Sequence, residues 1–229
     1  MAPLPPTCAS GSSFASQVVD IIECLPLGGA AIAAIGSDGV PVSGAVGTSA
    51  TNGSFEVCLP ANTTFSLQMT APSYPTTYFA EMLNADAGFF TQVGSVSTAE
   101  LNAVGAFVPG GVIPNRAIVV AQMAGTACIK QRAGWSFQIT LPDGGAFPDG
   151  GYQLLYLGTN DLPDPMAETT ATNGGAVFYN IDPSVSDFVV ISAENPDAGA
   201  CEPINSSIGM TGRVYVTSGS AAIDPFLLP

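Results

Sequence analysis

Apolar and polar residues alternate with a period of two along much of the chain. Ser54 to Leu59 (SFEVCL) and the Phe65, Leu67 and Met69 of FSLQMT place every second apolar side chain on one face, as in a strand half-buried in a sheet. Near-continuous apolar runs accompany them: Gln17 to Ile22, Ala30 to Ile35, Ala117 to Met123, Trp135 to Leu141, Tyr152 to Leu157, Ala176 to Ile181, Phe188 to Ser192 and Arg213 to Thr217, with Ala221 to Leu228 as a last candidate. Each is strand-length. Ser37-Asp38-Gly39, Thr51-Asn52-Gly53 and Asn173-Gly174-Gly175 are turn signals, because Asn and Gly tolerate the positive φ that tight turns require. Strands at roughly ten-residue spacing, separated by such turns, predict an all-β sandwich or barrel.

Residues 78–107 depart from this rhythm. Tyr78, Phe79, Met82 and Leu83 recur at helical spacing, and Ser97 with Glu100 forms a capping box ahead of Leu101, Val104 and Phe107. The pattern predicts short helices inserted there. Pro109-Gly110-Gly111 to Pro114-Asn115 reads as a linker, and the Pro, Ser and Gly of residues 1–14 as a flexible tail. The expected organisation is a tail over 1–14, a first β-sandwich domain over 15–112 and a second over 117–229.

The two halves echo each other. Ala50-Thr51-Asn52-Gly53 followed by Ser54-Phe55 matches Ala171-Thr172-Asn173-Gly174 followed by Gly175 to Phe178. Upstream, two registers are open. One sets PLGGAAIAAIG from Pro26 against PDGGYQLLYLG from Pro148. The other sets strand, Cys24, Gly-Gly, strand against strand, Cys128, Ala-Gly, strand. The second is preferred because it also aligns Asp38-Gly39 with Asp143-Gly144, and it requires about one extra strand in the second half.

These residues resemble carboxypeptidase regulatory-like domains, which are small transthyretin-like β-sandwiches. The resemblance rests on Gly29-Ala30, Asp38-Gly39-Val40-Pro41, Thr48 to Phe55 and Leu59-Pro60 to Leu67 in the first half. In the second it rests on Ala133-Gly134, Thr169 to Phe178 and Asp182-Pro183 to Val190. It implies two tandem Greek-key sandwiches, the first with a helical insertion, of a kind common in exported bacterial surface proteins. It also implies an accessory or structural role and hands over no catalytic residues. The related collagen-adhesin B-type domains form Lys–Asn or Lys–Asp isopeptide bonds. The first lysine here is Lys130, so the first domain cannot form one, and Lys130 with Asp224 or Asn205 is the candidate set in the second.

Composition narrows the chemistry. The 229 residues include 18 acids, 4 bases and no histidine, for a net charge of −14. Without histidine the Ser-His-Asp and Cys-His hydrolases are excluded, as are the usual catalytic zinc sites. The charge argues against nucleic acid and against anionic membrane surfaces. No apolar run approaches the length of about 18 residues that spans a membrane. Met1 before Ala-Pro-Leu-Pro-Pro reads as a start residue on a mature chain whose signal peptide has been removed. The expected location is secreted or at the cell surface.

Five cysteines, Cys8, Cys24, Cys58, Cys128 and Cys201, contain no C-x-x-C pair. Structural disulfides of an exported protein are expected. Cys128 and Cys201 are the only two in the C-terminal half and are expected to pair. Cys24 is expected to pair with Cys58, which leaves Cys8 for a partner outside the domain.

Asp143, Asp149, Asp161, Asp164 and Glu168 fall within one base-free stretch. Asp161, Asp164 and Glu168 in a Pro-rich loop are the candidate Ca²⁺ ligands, and no other cofactor is expected. Trp135, Tyr152, Tyr156 and Tyr179 are the candidate ligand face for sugar stacking, set against use in the core. The function expected from all this is a non-enzymatic, exported structural or adhesive β-sandwich protein with a protein or glycan partner at the cell surface. A Ca²⁺-dependent carbohydrate-binding module and a carboxylate-based glycan hydrolase are the alternatives. Self-association through sheet edges is a further expectation.

Overall fold

The computed structural model describes residues 8, 11–83, 92–124, 133–148, 151–160, 162–195 and 211–227. The first half holds β1 (Ser12–Asp20), β2 (Ala31–Gly36), β3 (Pro41–Thr48), β4 (Ser54–Leu59), β5 (Thr64–Thr70), β6 (Thr77–Phe79), β7 (Met82–Leu83), β8 (Gln92–Ser95) and α1 (Thr98–Gly105). The second holds β9 (Ala117–Ala124), β10 (Ser136–Thr140), β11 (Gln153–Leu157), β12 (Pro163–Asp164), β13 (Gly175–Ile181), β14 (Phe188–Glu194), β15 (Thr211–Tyr215) and β16 (Ala221–Leu227). The described residues are all-β apart from α1, as the alternation predicts.

The strands form three sheets. Two are three-stranded, in the orders β4-β1-β8 and β10-β14-β15. The third has ten strands in the order β12-β11-β13-β9-β16-β6-β5-β2-β3, with β7 also paired to β5. This large sheet lies between the other two and buries side chains on both faces. On β9, Ile118 and Val120 face one core, with Phe14, Phe55 and Phe65. Ala117, Val119, Ala121 and Met123 face the other, with Trp135, Phe137 and Ile191. That is why Ala117–Met123 reads as a continuous apolar run where Ser54–Leu59 alternates: both faces of β9 are dry.

The pairing scheme repeats along the chain. β1 pairs antiparallel with β4 and parallel with β8, and β9 pairs antiparallel with β13 and parallel with β16. β5 lies antiparallel between β2 and β6, and β14 antiparallel between β10 and β15. The loops repeat atom for atom. Ser49 Oγ accepts from Ala30 N at 2.9 Å, and Thr170 Oγ1 accepts from Trp135 N at 3.0 Å. Gly29 N donates to Ser49 O, and Gly134 N to Thr170 O. Val40 N donates to Asp38 Oδ1 at 3.0 Å, and Gly145 N to Asp143 Oδ1 at 2.9 Å. Gly53 and Gly174 close the two Ala-Thr-Asn-Gly turns at φ of 78° and 75°, a conformation that suits glycine. These hydrogen bonds follow the register that aligns Asp38-Gly39 with Asp143-Gly144. The halves differ where β3 pairs with β2, the counterpart of β10, but β11 pairs with β13, the counterpart of β4.

The halves meet at β6 and β16. These run parallel with Thr77 opposite Ala221, Tyr78 opposite Ala222 and Phe79 opposite Ile223. The ladder extends through Ala221 N to Thr76 O and Ala80 N to Ile223 O. The ten-stranded sheet therefore draws on both sides of residues 109–115, the expected linker. That linker is fastened to the sheet: Asn180 Oδ1 accepts from Ile113 N at 2.7 Å and its Nδ2 donates to Gly111 O at 3.1 Å.

Several expectations need correction. Residues 77–83 form β6 and β7, not a helix. Tyr78 and Phe79 are 4% and 2% exposed and face different cores, so a strand with two buried faces imitated helical spacing. The capping box further along does open a helix, α1. The tail is shorter than 1–14, since β1 begins at Ser12 and Phe14 sits in the core. Cys58 pairs with Cys8, Cα to Cα 5.5 Å, and Cys24 is a free, exposed thiol. The physical reason is the antiparallel register of β1 on β4, which sets Ser13 opposite Cys58 and so brings the segment before β1 to it. Cys24, beyond the other end of β1, is carried away. Cys128 and Cys201 lie outside the described residues.

Candidate functional site

The aromatic ligand face does not form. Trp135 and Tyr179 are fully buried and Tyr156 is buried, while Tyr152 is half-buried against Phe147 and Phe178. The three buried rings fill the cores, and their polar atoms are used internally. Tyr156 Oη accepts from Phe137 N at 3.0 Å, and Tyr179 Oη donates to Leu101 O at 3.3 Å. Burial pushes both phenols above their ordinary pKa. Of the Ca²⁺ candidates, Asp161 lies outside the described residues. Asp164 and Glu168 are exposed, and Asp164 Oδ1 accepts from Met166 N. Among the described residues no cluster of three or more His, Cys, Asp or Glu could hold a metal ion. Lys130 and Asn205, proposed for an isopeptide bond, also lie outside the described residues.

A site does form where the two halves meet. After β1 the chain turns at residues 21–24. Buried Asp20 holds this turn: its Oδ1 accepts from Ile22 N and Glu23 N, both at 2.9 Å, and its Oδ2 accepts from Tyr74 Oη at 2.9 Å. Burial, then the bond to Asp20 and its charge, push the Tyr74 phenol up to about 12. Cys24 ends the turn in the left-handed region, at φ 57°. Helix α1 packs beside it. Ser97 Oγ accepts from Glu100 N at 3.2 Å, and Glu100 Oε2 accepts from Ser97 N at 3.0 Å. This box starts the helix where Leu101 and Val104 turn onto the large sheet.

Between the 21–24 turn, α1 and the sheet lies a cavity of about 230 Å³. Ile21, Ile22, Cys24, Val96, Leu101 and Val104 wall it from the first half. Val120, Gln122, Leu157, Asn173, Gly175, Val177 and Tyr179 wall it from the second. Among the described residues no carboxylate and no cation lines it, so these residues supply neither an acid–base pair nor a metal centre. Its chemistry is an apolar chamber with a thiol and two amides. Asn173 is occupied, donating to Gly158 O at 2.7 Å and accepting from Gly175 N at 3.3 Å. Sequence reasoning placed Cys24 in a disulfide, Asn173 and Gly175 in a turn and Tyr179 on an aromatic ligand face, and it did not bring the lining residues together as a site. The one available signal was Leu101 and Val104 at helical spacing behind a capping box, an apolar helix face that needed a surface to cover.

No protein-family model and no curated protein matches the chain. Among solved structures, the shaft pilin SpaA of Lactobacillus rhamnosus GG aligns at 12% identity over 96% of this chain and 98% of its own, with a TM-score of 0.30. The Bacillus anthracis TIE protein aligns at 11% identity over 95% of this chain, with a TM-score of 0.30. The chain spans 34% of the TIE protein's length. At these TM-scores neither likeness assigns a fold or a function.

Proposed function

We propose that this chain is a non-enzymatic, extracellular structural module. In this reading it consists of two tandem transthyretin-like Greek-key sandwiches that arose by duplication and are joined edge to edge through β6 and β16. It presents an acidic, histidine-free surface to a protein or glycan partner at a cell surface. The observation that carries the reading is the Cys8–Cys58 bond, because disulfides persist in oxidising compartments and are rare in the reducing cytosol. The paired loop hydrogen bonds at Ser49 and Thr170 support the duplication. The lack of a catalytic constellation among the described residues supports a structural role. No helix among the described residues is long and apolar enough to cross a membrane.

The test is to trap thiols in intact cells of the source organism with a membrane-impermeant alkylating reagent, then to shave the cells with protease. Surface location predicts Cys8 and Cys58 unmodified until reduction and the protein lost on shaving. A protease-resistant pool whose Cys8 and Cys58 are alkylated only after lysis, without reduction, overturns it.

A further inference from the structure

We propose that the cavity at the meeting of the two halves is a binding site for a small, neutral amphiphile: one short aliphatic chain ending in an uncharged hydrogen-bonding group, such as an alcohol. Ligand sites favour concave, mostly apolar chambers at the junction of two structural units, with a few polar groups that fix orientation. This chamber meets each condition from the residues named above. It lies where the outer face of β9 and β13, strands of the second half, would stand open to solvent without α1 and the 21–24 turn of the first.

Volume sets the size of the guest. At roughly 30 Å³ per heavy atom, the share of a water molecule in the liquid, 230 Å³ holds about seven or eight heavy atoms. The walls set its polarity. Ile21, Val104, Val120, Leu157 and Val177 make the chamber hydrocarbon-like, and a bare apolar void of this kind forfeits dispersion contacts on every side. An occupant restores them. Charge sets the head group. Neither described base, Arg116 or Arg213, lines the cavity, so a carboxylate head would be desolvated with no counter-charge from the described residues, in a protein of net charge −14. One group is positioned to meet a neutral head. The Gln122 side-chain amide is half-buried in the wall and has no protein partner among the described residues. It offers both a donor and an acceptor to a hydroxyl. The rim also suits an apolar guest. Ile22 and Leu25 beside the thiol are 50% and 54% exposed, an apolar collar that loses water when a chain enters. Beyond α1 the apolar surface continues: Val112 lies within reach of a Cβ built on Gly105.

The experiment is calorimetric titration of the full chain with 1-hexanol and, separately, with hexanoate. Binding of the alcohol in the submillimolar range, with hexanoate at least tenfold weaker, is the expected result. Gln122→Leu, at a half-buried wall position, should weaken 1-hexanol about fivefold with the melting temperature kept. Val104→Trp, which fills the chamber from the helix side, should abolish binding; if that variant does not fold, Gln122→Leu decides. Absence of heat with 1-hexanol, equal affinity for hexanoate, or unchanged affinity in Gln122→Leu each overturns the proposal. None of these outcomes touches the question of where in the cell the protein resides.

Discussion

Arg213 on β15 donates to Glu81 at 2.8 Å, and this pair ties the second half of the chain to the first. The same guanidinium donates to Ser37 O at 3.2 Å and lies 3.7 Å over the Phe188 ring. Glu81 N in turn donates to Arg213 O at 2.8 Å. The Glu81 side chain is only 7% exposed, so little water is at hand to replace this partner. Removing one member of a buried pair leaves the other uncompensated.

Arg213→Met should therefore destabilise the protein by about 2 kcal/mol, less than a fully buried pair because Arg213 keeps some contact with water. Glu81→Gln in the Arg213→Met background should recover part of the loss. Urea unfolding of both single variants and the double variant measures the coupling, and a coupling near zero would show the pair to be incidental.

The Cys8–Cys58 bond closes a loop with a sequence separation of 50 residues. In the chain-entropy account such a cross-link contributes about 4 kcal/mol. A Cys8→Ser/Cys58→Ser variant should lose stability on that scale, with its urea midpoint shifted down and early loss of β1 protection in hydrogen exchange. Cys24→Ser should leave the midpoint within about 0.5 kcal/mol of the parent, as expected of an exposed side chain.

Ser49 and Thr170 do the same work in the two halves, each accepting a buried backbone N–H from the residue after a left-handed glycine. Ser49→Ala and Thr170→Val should each cost about 1–2 kcal/mol, the penalty for an N–H left without its acceptor. Thermal unfolding of the two variants is the measurement. Closely matched losses support structural equivalence, and a large cost at one position with none at the other would count against it.

Alkaline pH should destabilise the fold. Tyr74 ordinarily titrates at 10.0 and is pushed up to about 12, burial contributing most and Asp20 next. Tyr156, Tyr179 and Tyr215 shift in the same direction, burial again leading. A raised phenol pKa means that the folded state disfavours the phenolate. Its contribution to stability is thus complete below the unfolded value near 10 and is lost as pH climbs from there toward 12 and above. Spectrophotometric titration of the tyrosines alongside urea midpoints from pH 9 to 11.5 checks this. Tyr74→Phe should flatten the early part of the decline.

Strand positions were legible where one face of the sheet is wet. Ser54–Leu59 alternates because every second residue is partly or fully open to water, and it folds as β4; Phe65–Met69 alternates because its intervening residues are polar, although Ser66 is buried, and it folds within β5. The capping box at Ser97 was legible because its two hydrogen bonds are local. The loop repeat was legible because Asn-Gly and Asp-Gly turns are written in adjacent residues. Tyr78 and Phe79 misled because a strand dry on both faces has no polar phase to reveal its period. The aromatic site misled for a related reason: side-chain type says that a ring is useful for stacking, but not whether it points at solvent or at another sheet.

The sequence by itself determined that the chain would be all-β, punctuated by glycine turns, internally repeated and without histidine chemistry, since alternation, turn residues and composition act within a few residues of each other. Only the tertiary structure decided which cysteine meets Cys58, that β16 inserts between β9 and β6 to make one sheet from two halves, and that a chamber remains beneath α1. Those outcomes depend on register and on which strand edges meet across the whole chain, and a one-residue slip or a different edge would satisfy the same local pattern.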